Sequence, residues 1–303
     1  MSKSTAILFS VFQKVTRLFW GTGVGKIPGA YTIHSWLFRS LRQHTDTIEV
    51  QGSKLYVNPK GLPQSYTKTF QSYVLDKGWE ELTTQVFKDT VKDGDVVVDL
   101  GANIGYFTLL AARLVGKNGK VYAFEPESTN YGLLVKNIEL NGYKNVIAVQ
   151  KAVSNTLGKV RLFLNSKDTG AHTIYQSDTT RKFVEVESIT LDEFFKDKKH
   201  HIDVIKMDIE GAEMAALSGM ERVIKDNPHL KIFAEFYFEG IEQAGNTPRE
   251  FARKLLEDHG FSIVAIGDYT KDKKSSKISS VDELMYLCRG NKTANLLLQK
   301  TIN

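Results

Sequence analysis

From Asp93 onward the chain alternates short apolar runs with stretches of helical length, and few folds accept that pattern. The runs at 96–100, 121–124, 146–149, 204–209 and 232–238 are nearly continuous, without the apolar/polar alternation of a half-exposed strand. Strands of that kind are buried on both faces, which requires a parallel sheet with helices on each side. The intervening segments 104–115, 128–140, 214–224 and 248–259 supply the helices. The last of these has Pro248 at its start and Gly260 beyond its end, as helix punctuation predicts. Residues 263–266 and 284–287 read as two final strands around the charged loop 271–277. The expected fold is α/β, and ligands of such sheets bind outside the carboxyl ends of the strands. One insertion breaks the rhythm between Val153 and Val204. It has strand-like pieces at 159–164 and 183–187, a small helix at 191–195 and a polar stretch at 165–181 that would shape a substrate pocket.

Ahead of this body, 46–92 reads as a hairpin followed by a helix. Ile48/Val50 and Leu55/Val57 alternate around Gly52-Ser53, and Trp79, Leu82, Val86 and Phe87 keep helical spacing. Residues 1–45 form a separate arm. Leu8, Val11, Phe12, Val15, Leu18 and Phe19 make one helical stripe, with Lys14 and Arg17 on its other side. Such a helix either docks on the body or lies in the plane of an anionic membrane, so peripheral membrane contact through 5–20 is an expectation.

Charge sharpens the division. The arm holds six bases and no acid, while the other 258 residues hold 34 bases against 35 acids. The net charge of +5 is therefore a property of the arm, and a neutral body argues against a nucleic-acid partner. The single Cys288 excludes an internal disulfide framework and a Cys-based zinc site. No apolar run reaches the roughly 20 residues of a membrane span. A cytoplasmic protein, peripheral at a membrane through its arm, is the expected location.

The sharpest motif is Asp99-Leu100-Gly101-Ala102-Asn103-Ile104-Gly105-Tyr106, placed between the first strand and its helix. Gly101 and Gly105 permit a tight turn and close backbone approach, and helix-end amides favour electron-rich groups. Glu125 ends the second strand, where an acid can take both hydroxyls of a ribose. A dinucleotide fingerprint needs G-x-G-x-x-G, but Asn103 holds the second glycine position and Tyr106 the third. The pattern suits a nucleoside with a positively charged tail, which Asp99 would anchor.

The run DLGANIGYFTLLAA with FEPE, followed by VIAVQKAVSNTLGKVRLFL, resembles an S-adenosylmethionine-dependent methyltransferase. ITLDEF and IDVIKMDIEGAE at 202–213 narrow the resemblance to the FkbM family of O-methyltransferases, over about 47–290. The resemblance implies a class I methyltransferase, Rossmann-like sheet of seven strands, order 3-2-1-4-5-7-6 with the last antiparallel, behind the N-terminal helical and hairpin extension. The methyltransferase domain would span 93–303. The resemblance also implies S-adenosyl-L-methionine as cofactor. Asp99, Gly101, Ala102, Asn103, Gly105 and Tyr106 would surround its methionine part. Glu125, Pro126 and Glu127 would lie at the ribose, Ala152, Val153 and Ser154 at the adenine, and Asp208 at the reactive end.

Methyl transfer to a hydroxyl of a sugar, glycan, lipid head group or secondary metabolite requires removal of a proton. Asp208 is the first choice of base, with Glu210 and Lys206 beside it and Glu213, His172 and Glu235 as further candidates. His172 reads as a surface loop residue. Asp208 and Glu235 could contribute to a metal, but no third ligand presents itself, so no metal site is expected. An RNA methyltransferase using the basic arm is the alternative reading.

Overall fold

The computed structural model describes residues 11, 47–56, 80–166, 168–176, 181–198, 201–267, 274–289 and 293–300. The expected arm, apart from residue 11, lies outside them.

The central sheet has eight strands: β3 (Val96–Leu100), β4 (Lys120–Phe124), β5 (Val146–Val149), β9 (Val204–Met207), β10 (Lys231–Phe236), β11 (Phe261–Ile266), β12 (Ser276–Ile278) and β13 (Ala294–Lys300). Their order is β5-β4-β3-β9-β10-β13-β11-β12. β3 pairs in parallel with β4 and β9, and β13 runs antiparallel to both β10 and β11. Apart from β12, which adds an eighth strand at one edge, this follows the expected order.

One expected element is overturned. Val281–Leu287 is a helix (α9), and the last strand is β13. Ser280 caps the helix by accepting the Glu283 amide, and Asp282 and Glu283 occupy the first turn, where the helix dipole favours acids. Val281, Leu284 and Cys288 then fall on one buried face, a helical period that a four-residue apolar window at 284–287 conceals.

Side chains alternate across the strands into two cores. Val98, Leu100, Tyr122, Phe124, Ile205 and Met207 pack on one face, and Val97, Val121, Ala123, Val204 and Phe233 on the other. Helices α2 (Tyr106–Leu114) and α3 (Ser128–Asn141) follow β3 and β4. Ahead of the sheet, β1 (Thr47–Val50) and β2 (Ser53–Tyr56) form the expected hairpin, pairing Ile48 with Leu55. The hairpin is held to α3, because Asn137 and Asn141 accept the Tyr56 and Lys54 amides at 2.6 and 2.7 Å. Helix α1 (Glu81–Thr90) then leads into β3 and buries Phe87 against Phe107 and Phe233.

The insertion forms a second sheet, β6 (Ala152–Val153), β7 (Gly158–Phe163) and β8 (Phe183–Ile189), in the order β6-β8-β7. Helix α4 (Leu191–Phe194) fastens it to the main core through edge-on contacts of Phe194 and Phe195 with Tyr122 and Phe124 at 4.9–5.6 Å between ring centres. After β9 come two short helices, α5 (Glu213–Ser218) and α6 (Glu221–Asp226), where a single helix is expected. Between them the Gly219 backbone abuts that of Ser154, so close that a Cβ would lie 2.2 Å from the Ser154 carbonyl oxygen. After β10 come α7 (Phe238–Gln243) and α8 (Pro248–Arg253), the latter continuing into a turn of π-helix at Lys254–Asp258.

Candidate active site

A cleft opens beyond the carboxyl ends of β3, β4 and β9, where the topology calls for one. Its empty volume is about 540 Å³, opening to solvent included. One wall is the β3–α2 turn. Gly101 has φ +79°, and a Cβ there would lie 1.9 Å from the Asp208 carbonyl oxygen, so the two strand ends meet only because residue 101 has no side chain. Gly105, at φ +101°, caps α2 against Leu134. Asn103 takes a left-handed conformation between them, at φ +49°.

Glu125 is 5% exposed and receives two main-chain amides, Asn103 N–H at Oε2 (2.8 Å) and Glu127 N–H at Oε1 (2.9 Å). Burial outweighs these bonds and pushes its carboxyl up to about 7. Glu127 caps α3 by accepting the Asn130 amide. Asn130 in turn donates from Nδ2 to the Thr169 carbonyl, and Thr173 Oγ1 donates to the Glu210 carbonyl at 2.8 Å. These two bonds draw the polar part of the insertion over the cleft. His172 lies there too, half-buried and lining the cleft, which corrects its reading as a surface residue. Its Nδ1 accepts the Asn165 amide at 3.0 Å and burial lowers its pKa, so the neutral ring carries its proton on Nε2.

The expected cofactor residues separate into two groups. Gly101, Asn103, Glu125, Pro126, Ala152, Val153 and Asp208 line the cleft. Asp99, Ala102, Gly105, Tyr106 and Ser154 are absent from its lining. Asp99 is buried below the turn, accepts Thr108 Oγ1 at 2.5 Å and is pushed up to about 6 by burial, a bond that ties the end of β3 to α2. The Tyr106 hydroxyl is paired with Thr84, and Ser154 Oγ with Ser188. Asn130, Lys151, Leu162, Thr169, Gly170 and Ile174 also line the cleft. They come from α3, the link between β5 and β6, and the insertion, and their types carry no signature of ligand contact.

At the β9 end the site turns acidic. Lys206 is 3% exposed, and its Nζ sits 3.0 Å from Asp208 Oδ2 and 4.9 Å above the Phe107 ring. Burial alone would lower its pKa, but Asp208, Glu80 and Asp99 outweigh burial and raise it. It is a fixed cation that positions Asp208, which rules out the base role considered for it. Glu210, at φ +53°, lines the cleft beside Asp208. Glu235, next to last in β10, brings a third carboxylate within 4.8 Å of both. Burial and then the neighbouring acids raise Glu210 and Glu235 well above the usual carboxylate range. Glu213 is fully buried at the start of α5, accepts the Ile209 amide and is raised by burial to about 7. The expectation that no third acid joins Asp208 and Glu235 therefore fails, because the left-handed turn at Glu210 and Gly211 carries Glu210 back to the strand ends. Gly211 permits the turn, since a Cβ there would lie 2.6 Å from the Gly240 carbonyl.

The cleft fits the implied cofactor. Its wall at Gly101 is backbone closed against the end of β9, and Asn103 Oδ1 is buried without a partner among the described residues. Glu125 offers carboxylate lone pairs beyond the two amides it already accepts.

The comparisons agree. The model for the methyltransferase FkbM domain matches residues 99–263, more than half of the chain. Methyltransferase sdnD of Sordaria araneosa is 30% identical over 198 residues, 55% of this chain and 73% of that protein. Methyltransferase 1 of Beauveria bassiana is 26% identical over 191 residues, 56% and 74% of the two chains. A SAM dependent methyltransferase from Aquifex aeolicus superposes with a TM-score of 0.40 at 15% identity, over 73% of this chain and 89% of that one, a likeness too loose to carry an argument. With its strand-end cleft, its glycine turn and the acidic loop after β9, the chain belongs to the FkbM methyltransferase family.

Proposed function

We propose that this methyltransferase moves the methyl group of S-adenosylmethionine to a hydroxyl oxygen of a sugar, glycan, lipid head group or secondary metabolite. The observation that carries the reading is the pair Asp208 and Glu210 lining the cleft beside the Gly101 wall. The bound cofactor supplies an electrophilic sulfonium methyl, and the chain must supply position and a proton acceptor.

Glu125 accepts hydrogen bonds from the ribose, with Gly101, Asn103 and Pro126 around it. The Lys206 ammonium, 3.0 Å from Asp208 Oδ2, fixes the Asp208 side chain in place. Glu210 lies in the cleft beside it with its basicity raised, and is the group that takes the acceptor's proton. The insertion is tied over the cleft through Thr169 and Thr173.

The acidic acceptor end disfavours a polyanion, so the basic arm does not make RNA the better substrate. Incubation of the full chain with methyl-tritiated S-adenosylmethionine and separate pools of glycans, lipids, small hydroxylated metabolites and RNA tests the reading. We expect label in an ether oxygen of a neutral or cationic acceptor. Label confined to RNA, or to nitrogen or carbon of any acceptor, contradicts it.

A further inference from the structure

The acceptor end of the cleft holds more negative charge than methyl transfer needs. Asp208, Glu210 and Glu235 each present one carboxylate oxygen within 4.8 Å of the other two, and all three residues are half-buried. Some point therefore lies no more than about 2.8 Å from all three oxygens, which is 4.8 Å divided by √3. Calcium takes carboxylate oxygens at about 2.3–2.6 Å, and magnesium at about 2.0–2.1 Å after a small inward movement.

A second observation points the same way. Glu213 is 0% exposed, and its Oε1 accepts the Ile209 amide at 3.1 Å. Its Oε2 is buried with no hydrogen-bond partner among the described residues. The bond from the Ile209 amide seats the Glu213 carboxylate against residue 209, which stands between Asp208 and Glu210 in the chain. A buried carboxylate oxygen without a donor is unfavourable unless positive charge lies near it. Lys206 does not meet that need, because its Nζ is committed to Asp208 and it already answers the charges of Glu80 and Asp99.

We propose that Asp208, Glu210 and Glu235 form a divalent-cation site at the acceptor end of the cleft, with Glu213 as the supporting carboxylate behind it. Three oxygen donors and no nitrogen or sulfur select a hard ion such as magnesium, manganese or calcium. Three protein ligands also leave coordination positions for water and for the acceptor's hydroxyl oxygen. Each residue gives one oxygen; the ion would lower the basicity of Glu210 but would also acidify a hydroxyl bound to it, so the proton can still pass to the second oxygen of Glu210. The purpose of the site rests on the methyl-transfer reading; the binding of the ion does not.

Titration of the full chain with manganese chloride, read by loss of the free-ion EPR signal, tests the proposal beside a calorimetric titration with S-adenosylmethionine. We expect one manganese per chain at sub-millimolar concentration, displaced by magnesium or calcium. Glu235→Gln should weaken it at least tenfold, roughly the loss seen when metal sites are perturbed. Glu139→Gln, exposed on α3, should leave it unchanged. Circular dichroism identifies a variant that has not folded, and Glu235→Asp then takes its place with the same expected direction. No saturable binding of any of the three ions to the unmodified chain overturns the proposal. So does stoichiometric binding that folded Glu235→Gln and Glu210→Gln variants leave intact. If S-adenosylmethionine binds and no ion does, the cation site falls and the methyl-transfer reading stands; if an ion binds and S-adenosylmethionine does not, that reading falls.

Discussion

The two ends of the cleft are built by opposite means. At the β3–β4 end the polar work is done by backbone, with bare glycine at 101 and two amides converging on Glu125. At the β9–β10 end it is done by side chains, four acids and one lysine gathered from β9 and the left-handed turn after it, from β10 and from the start of α5. A backbone-made surface is fixed by the fold and can hold the same cofactor whatever the acceptor. A side-chain cluster carries unbalanced charge and can be retuned by single substitutions. The contrast teaches that binding and chemistry should be separable by mutation.

The largest expected effect tests the acidic end. Glu210→Gln keeps the shape and removes the proton acceptor, so turnover should fall by about 10²–10⁴. Initial rates at saturating S-adenosylmethionine check this. A loss below about threefold would return the base role to Asp208.

Gly101→Ala attacks the other end. Its Cβ would overlap the Asp208 carbonyl and occupy a conformation strained for alanine. A stability loss of about 2–4 kcal/mol is expected in urea denaturation.

Lys206→Met sharpens the comparison from beneath. It leaves Asp208 without its cation while preserving the contact with Phe107. Asp208 is 30% exposed, so the loss should be about 2 kcal/mol, below that of a fully buried pair. The pH optimum should also rise, because the acid cluster would ionise less readily. An unchanged pH profile would mean that Lys206 only fills space.

The pH dependence of cofactor affinity probes the backbone-made end alone. Glu125 titrates near 7, and it must be ionised to accept the ribose hydroxyls in full. Affinity should therefore fall roughly tenfold from pH 8 to pH 6, by calorimetry. For the free protein the sign is opposite. A carboxyl raised in the fold contributes stability that is complete below its unfolded value of 4.5 and is lost as pH rises through about 7.

The smallest effect concerns the cover. Asn130→Ala removes the bond to Thr169 and should cost about 1 kcal/mol locally, seen as faster amide exchange in 168–176.

Much of the backbone-made end was readable in the sequence, because a glycine turn has a fixed spacing and Glu125 sits at a fixed strand end. Spacing places Asp99 and Tyr106 near the turn without saying which way they point, and both lie outside the cleft lining. The acidic end was half readable. Asp208 and Glu210 stand in one motif, but Glu235 lies 25 residues further on, and the positive φ of Glu210 that gathers the three has no signature in residue types. Asn130 and Thr169 escaped notice for a simpler reason, being ordinary polar residues brought together by the insertion's path. The 284–287 run failed because four apolar residues fit a strand or a helix equally, and the Ser280 cap decides between them.

The central claim is that cofactor binding belongs to one end of the cleft and proton removal to the other. Calorimetric titration of Glu125→Ala and Glu210→Gln with S-adenosylmethionine, side by side with the unmodified chain, tests it most directly. The account predicts that Glu125→Ala loses about 100-fold in affinity or more, roughly the effect of removing a charged hydrogen-bond partner, while Glu210→Gln stays within about threefold. Equal losses in both variants, or undiminished binding by Glu125→Ala, would contradict it.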